Sequence, residues 1–136
     1  MSDSSPKRIL VAEDEDVVRT IIGHVLKQNG YEAIMSRDGE EALALIKSRR
    51  PDAVILDAMM PGLDGYEVLQ TLRNDPNTAD IPVMMLSARN LERDVITGFD
   101  FGANDYLVKP FRPEELLTRL KRLLGAARQW ERDAHS

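Results

Sequence analysis

The 136-residue sequence contains no cysteine and only two histidines, His24 and His135. Without cysteine the chain can form no disulfide, no thiol nucleophile and no thiolate metal site. The two histidines lie far apart in the sequence, which argues against a structural zinc site. The formal net charge of −5 at pH 7 argues against binding of nucleic acid through the overall electric field, so we expect no direct nucleic-acid contact.

Long apolar runs are also missing. No segment approaches the roughly 18 consecutive apolar residues of a membrane span, and the N-terminal MSDSSPK lacks the apolar core of a secretion signal. The composition, 43% hydrophobic and 30% charged, is that of an ordinary globular domain. We therefore expect one cytoplasmic domain without a membrane segment, preceded by a disordered segment at residues 1–6.

Five short β-rich runs recur at a regular interval and alternate with segments of helical periodicity. The runs are RILVA (8–12), EAIM (32–35), AVIL (53–56), PVMML (82–86) and DYLV (105–108). Five strand–helix units in one domain predict an α/β fold of the flavodoxin-like (βα)5 type, a doubly wound parallel five-stranded sheet. Right-handed crossovers favour the strand order 2-1-3-4-5.

The helix boundaries carry recognisable signals. Asn29-Gly30 is predicted to end the first helix, and D-x-x-E capping boxes at 38–41 and 64–67 are predicted to begin the second and third. A weaker fourth helix covers 91–101, and Pro113 is expected at the first position of the fifth. The apolar pattern weakens after Leu124, so residues 125–136 are interpreted as a helix extension or a linker.

Polar side chains stand where the predicted strands end. Glu13 and Asp14 follow the first strand, Asp57 follows the third, Ser87 the fourth and Lys109 the fifth. In the order 2-1-3-4-5 these ends share one rim, where open α/β sheets bind ligands. Clustered carboxylates need raised pKa values or a bound cation, and oxygen-only ligands suit Mg²⁺, with Mn²⁺ also possible.

A metal site beside a lysine and a hydroxyl is equipment for handling a phosphoryl group. Asp57, central and on the most buried strand, is the candidate nucleophile. Each residue alone has a simpler explanation: Asp14 or Asp16 could cap the first helix (for Asp16 we prefer this), Asp57 could face a helix N-terminus, Ser87 could be a turn residue, and Lys109 could face solvent. Those separate explanations do not predict that all of these groups share one rim.

Four motifs in register resemble the receiver domain of two-component response regulators over residues 7–124. They are ILVAEDE, VILDAMMPGLDGYEVL, PVMMLSA and GANDYLVKPF. The resemblance implies that Asp57 is the phosphoacceptor, supplied by a sensor histidine kinase or a phosphotransfer protein. It further implies that Glu13, Asp14, Asp57 and the Met59 backbone carbonyl hold Mg²⁺.

The same resemblance assigns the remaining roles. Ser87 and Lys109 would contact the phosphoryl group, and the Lys109–Pro110 bond would be cis. Ser87 and Tyr106 would form a switch that reshapes the face made by the fourth helix, fifth strand and fifth helix. Such a domain catalyses its own phosphorylation and dephosphorylation but is not otherwise an enzyme.

Alternatives remain open at this point. Asp100 with Lys121, and Asp105 with Arg119, resemble charges that pair across a homodimer in one branch of the family. An ordinary solvated charge pattern or pairs within the chain also explain them, and we prefer that explanation. A magnesium-dependent phosphohydrolase of the haloacid dehalogenase type is the rival enzyme, although position 59 is Met where that family needs a second acid. A flavodoxin is the rival binding module, but its phosphate loop would here be the acidic 13–16.

Overall fold

The computed structural model describes residues 5–88 and 102–135, with side chains described as far as Gly125 in the second range. Within these ranges the chain alternates strands and helices. The strands are β1 (Arg8–Ala12), β2 (Glu32–Ser36), β3 (Ala53–Asp57), β4 (Val83–Ser87) and β5 (Asp105–Val108). The helices are α1 (Asp16–Gln28), α2 (Gly39–Arg49), α3 (Gly65–Asn74) and α4 (Pro113–His135).

All five strands pair in parallel in the order β2-β1-β3-β4-β5. This confirms the predicted fold class and strand order. β3 lies in the middle of the sheet, between β1 and β4, and every one of its residues is buried. The carboxyl ends of β1, β3, β4 and β5 therefore lie side by side, and the register brings Asp57 beside Leu86, the residue before Ser87.

The alternation of side chains along each strand divides the core into two layers. Leu10, Val54 and Met85 point to the layer covered by α2 and α3. Their neighbours Ile9 and Ile55 point to the layer covered by α1 and α4. Strands covered on both faces must be apolar throughout, which explains the continuous apolar runs in the sequence.

Three strands extend one residue beyond the predicted ends, and the first of them, β2, continues to Ser36. β3 continues to Asp57, and β4 runs from Val83 to Ser87 rather than from 82 to 86. Pro82 has no N–H for the ladder, although its carbonyl accepts from Val54 N at 3.0 Å. As a result, Asp57 and Ser87 are the last residues of rigid strands and do not belong to the loops that follow.

The predicted starts of α2, α3 and α4 are correct, whereas the reciprocal half of the α2 capping box and the cap of α1 need correction. Asp64 and Glu67 form a reciprocal capping box. Asp38 caps α2 by accepting from Glu41 N at 2.8 Å, but the Glu41 carboxylate accepts from Arg37 N instead of completing the box. The preference for Asp16 as a cap of α1 was wrong, because Glu15 is the N-cap residue and makes no side-chain cap.

The last helix extends past Gly125 to His135. Whether residues 125–136 belong to the domain or to a linker stays a prediction, as does disorder of residues 1–6. The predicted helix at 91–101 lies outside the described residues. Within the described part of the chain, no helix is both long and apolar enough to cross a bilayer.

Candidate functional site

Asp57 occupies the carboxyl end of the central strand and is 3% exposed. Its Oδ1 accepts from the Met59 backbone N–H at 3.1 Å. The turn that follows is closely packed: an added Cβ at Gly65 would lie 2.2 Å from the Asp57 carbonyl oxygen. A glycine is therefore required where α3 begins, and the start of α3 is held directly against the backbone of Asp57.

Three carboxylates converge at this edge of the sheet. One carboxylate oxygen each from Glu13, Asp14 and Asp57 lie within 4.8 Å of one another. Glu13 is completely buried, and its Oε2 accepts from the Glu15 backbone N–H at 3.1 Å. Since β1 and β3 are neighbours, the sheet register itself brings the acids of the first loop to Asp57.

Lys109 supplies the positive charge of the cluster. Its Nζ lies 2.7 Å from Glu13 Oε1, 3.3 Å from Asp57 Oδ2 and 3.6 Å from a Glu15 oxygen. The Lys109–Pro110 peptide bond is cis. The Lys109 backbone N–H donates to the Ser87 carbonyl at 2.7 Å, so the β5 end that carries the lysine is held against the end of β4.

The protonation of the cluster reflects this crowding. Burial, together with the neighbouring Glu13, raises the pKa of Asp57 from 3.8 to about 7, although the Met59 N–H and Lys109 oppose the rise. Burial by itself would lower the pKa of Lys109, but Glu13 and Asp57 outweigh it and raise that pKa. Lys109 therefore stays charged, whereas Asp57 carries a proton more readily than an ordinary aspartate.

The residues present fit a divalent cation. The donor set is made only of carboxylate oxygens, which suits Mg²⁺ or Mn²⁺. The buried Glu13 Oε1 lies 2.7 Å from the Lys109 ammonium, and a carboxylate oxygen keeps further lone pairs with which it can accept a metal ion or a water molecule. The direction of the Met59 carbonyl stays a prediction.

Sequence reasoning missed Arg19, which organises the acidic loop. The Arg19 guanidinium donates to the Glu13 carbonyl at 2.9 Å and to the Asp14 carbonyl at 3.5 Å. It also forms an ion pair with Asp16. The Arg19 side chain is only 12% exposed. Its guanidinium therefore holds in place the backbone of the two residues whose carboxylates belong to the cluster. The sequence carried no signal for this role, because Arg19 falls between the apolar pairs of an ordinary amphipathic helix.

The two predicted switch residues, Ser87 and Tyr106, lie in different parts of the domain. Ser87 is buried at the end of β4, at the same edge as Asp57. Tyr106 is 6% exposed and packs in the core layer under α2 and α3. Its hydroxyl lies 3.1 Å from the hydroxyl of Tyr66, a contact that the sequence did not suggest.

Of the predicted dimer residues, Asp105 and Arg119 pair with each other within the chain. Arg119 Nη1 binds Asp105 Oδ1 of the same chain at 2.7 Å and also pairs with Glu115. This is the intrachain alternative for that pair. Lys121 is exposed, and Asp100 lies outside the described residues, so the dimer stays a prediction.

Comparison with known proteins gives a consistent family. A family model described as the response regulator receiver domain matches residues 9–121. Response regulator MprA of Mycolicibacterium vanbaalenii is 50% identical over 119 residues, which are 88% of this chain and 51% of that protein. The protein named "Probable transcriptional regulator ycf27" of Cyanophora paradoxa is 48% identical over 118 residues, 87% of this chain and 48% of that protein. The chain thus spans about half the length of these curated relatives.

Solved structures agree with the sequence relatives. The chemotaxis protein CheY4 of Vibrio cholerae is 34% identical, with a TM-score of 0.83 over 87% of this chain and 98% of that one. The receiver domain of Francisella response regulator 1452 is 36% identical, with a TM-score of 0.83 over 88% and 98%. The matched sequence, the sheet order and the acidic rim all agree with this assignment, and the chain belongs to the response regulator receiver domain family of two-component systems.

Proposed function

We propose that this receiver domain is a phosphorylation-controlled switch in which Asp57 accepts a phosphoryl group from a sensor histidine kinase or a phosphotransfer protein. The observation that carries the proposal is the placement of Asp57. Its carboxylate is buried at the end of the central strand, 3.3 Å from the Lys109 ammonium and grouped with Glu13 and Asp14. A purely structural role for Asp57 would not require three carboxylates and an ammonium group at one buried edge of the sheet.

The chemistry follows from the positions of the groups. An ionised Asp57 oxygen attacks phosphorus, a P–O bond forms, and the bond from phosphorus to the donor nitrogen breaks. The donor imidazole keeps the electron pair and takes up a proton if it leaves neutral. Lys109 and the Ser87 hydroxyl contact the phosphoryl oxygens. In the later dephosphorylation, water attacks phosphorus, the bond from phosphorus to the Asp57 oxygen breaks, and inorganic phosphate leaves as the Asp57 carboxylate is restored.

Glu13, Asp14, Asp57 and the Met59 carbonyl are the residues that would hold the divalent cation. A bound Mg²⁺ would supply positive charge to the phosphoryl oxygens. Arg19 contributes by holding the backbone of Glu13 and Asp14. The domain acts only on its own aspartate and turns over no other substrate.

A protein donor is supported by the apolar surface on the same side of the domain. Val17 and Ile21 are 71% and 47% exposed and lie one turn apart on α1, which follows the acidic loop. Met59, two residues beyond Asp57, is 64% exposed. Val17 and Met59 both follow the carboxyl ends of the neighbouring strands β1 and β3, and exposed apolar side chains at the edge that carries a reactive group suit a surface that contacts another protein.

In this proposal, Ser87 and Tyr106 couple phosphorylation of Asp57 to a change at the protein surface. We infer that Ser87 moves toward the phosphoryl group and that Tyr106 then favours its inward position, which changes the surface beside β5 and the start of α4. This is a population shift between two existing conformations. The homodimer through that surface is a separate hypothesis, which sizing of the protein with and without the phosphoryl mimic tests.

The central test is phosphorylation by a small acyl phosphate. With Mg²⁺ and acetyl phosphate, intact-mass measurement is expected to show one phosphoryl adduct on the wild type and none on Asp57→Asn. Asp80→Asn is the matched control, because Asp80 is an exposed aspartate beyond α3. Beryllofluoride should shift the Tyr106 resonance. Absence of an adduct on the wild type, or its persistence in Asp57→Asn, contradicts the proposal.

A further inference from the structure

Tyr66 contacts the proposed switch residue directly. The Tyr66 and Tyr106 hydroxyls lie 3.1 Å apart, within hydrogen-bond distance. Tyr106 is 6% exposed and belongs to the core layer beneath α2 and α3, and Tyr66 packs against the same layer. The two residues stand 40 positions apart in the chain, so this is a tertiary contact between the first turn of α3 and β5.

Tyr66 is also tied to the phosphoacceptor through the backbone. It directly follows Gly65, whose N–H donates to the Ala58 carbonyl at 3.1 Å. An added Cβ at Gly65 would overlap the Asp57 carbonyl at 2.2 Å and the Ala58 Cα at 2.8 Å. The start of α3 therefore cannot move independently of the Asp57–Ala58 backbone, and Tyr66 is one residue from that contact.

Burial increases the energetic importance of the contact between the two hydroxyls. A hydroxyl buried without a partner loses its hydration, so a buried tyrosine favours a conformation in which its hydroxyl is satisfied. Tyr66 offers that partner to Tyr106 only when Tyr106 is inward. If Tyr106 swings outward, this contact is lost, whereas solvent can then hydrate its hydroxyl.

We propose that Tyr66 is a positioning residue that holds Tyr106 inward and thereby sets how far the switch lies toward its activated conformation before phosphorylation. This rests on the proposed function, in which the inward position of Tyr106 is the signalling one. Loss of the Tyr66 hydroxyl lowers the inward-to-outward ratio of Tyr106 by about fivefold, as expected for one neutral hydrogen bond. The acceptor chemistry at Asp57 is left in place.

The chain is well suited to a direct measurement, because it contains only three tyrosines. Labelling with 3-fluorotyrosine gives three ¹⁹F resonances, assigned by single substitutions to phenylalanine. In the unphosphorylated protein, Tyr66→Phe is expected to move the Tyr106 resonance toward its solvent-exposed position. Saturating Mg²⁺ and beryllofluoride should bring it back to the wild-type position. Tyr31→Phe is the control, since Tyr31 packs against the other core layer.

The outcomes separate the two proposals. If wild-type Tyr106 responds to beryllofluoride but Tyr66→Phe leaves its resting resonance unchanged, the role of Tyr66 is wrong and the switch survives. If the wild type forms no phosphoryl adduct, the proposed function itself fails.

A double-mutant cycle gives a second readout that does not depend on the mimic. Either Tyr66→Phe or Tyr106→Phe removes the hydroxyl pair, so the effect of Tyr66→Phe on the urea midpoint should largely vanish when Tyr106 is already phenylalanine. Strictly additive shifts would mean that the hydroxyls do not interact and would overturn the inference. Phenylalanine keeps both rings, so the packing of the core is preserved in all variants.

Discussion

Two partly buried cations stand at opposite ends of the sheet, and their partners differ. Lys109, at the carboxyl end of β5, faces carboxylates: Glu13 at 2.7 Å and Asp57 at 3.3 Å. Arg73, at the end of α3, donates to neutral acceptors before β4 and β5. These are the carbonyls of Ala79, Ile81 and Gly102 and the side-chain oxygen of Asn104, at 2.7 to 3.1 Å. The first cation is outnumbered by anions, whereas the second is matched by neutral hydrogen-bond acceptors.

The pKa values record the same difference. Glu13 and Asp57 overcome the effect of burial and raise the pKa of Lys109. Burial lowers the pKa of Arg73, with only Asp80 opposing it. The end with surplus negative charge can accept a further cation, whereas the hydrogen-bonding groups at the Arg73 end are already matched. We expect the Arg73 end to stabilise the fold, and under the proposed function the Lys109 end takes part in phosphoryl transfer.

The largest expected effect is on the rate of phosphorylation. Lys109→Met removes the charge but keeps an unbranched side chain, and the rate with acetyl phosphate and Mg²⁺ should fall by about 10²-fold, as for loss of one group that stabilises developing charge. Arg73→Met is the matched control and should leave the rate of the folded protein unchanged. Equal rates for Lys109→Met and the wild type would break the contrast between the two cations. Mass spectrometry of timed samples measures both.

The second largest effect is on stability, and here Arg73 is the important cation. Arg73→Met leaves three carbonyls and the Asn104 side chain without this donor, and we expect the free energy of unfolding in urea to fall by about 2 to 3 kcal/mol. Arg49→Met removes an arginine whose pair with Glu32 is 45% and 44% exposed, so it should cost about 1 kcal/mol or less. A similar small loss for both variants would mean that the Arg73 contacts contribute little.

The sequence predicted the Lys109 end far better than the Arg73 end. Each of four residues stands at the end of an apolar strand or directly after it, so the strand order alone brings them to one rim; they are Glu13, Asp57, Ser87 and Lys109. Arg73 and Arg19 act mainly through backbone carbonyls, and any residue type can present a carbonyl. Such contacts leave no pattern in the acceptor residues. The Tyr66–Tyr106 contact likewise depends on the packing of α3 against β5, which helical periodicity does not fix.

The smallest effect concerns the proton on Asp57. Its pKa is raised from 3.8 to about 7, chiefly by burial, so between these values the folded state binds a proton that the unfolded state has released. Without divalent cations, wild-type stability should therefore fall as the pH rises from 5 to 8. Asp57→Asn cannot ionise and should gain on the order of 1–2 kcal/mol relative to the wild type over that range. Asp80→Asn, at an exposed aspartate near Arg73, should follow the wild-type curve. Parallel curves for Asp57→Asn and the wild type would show that folding does not raise the pKa of Asp57. The negative charge at the Lys109 end would then be compensated by protein groups alone.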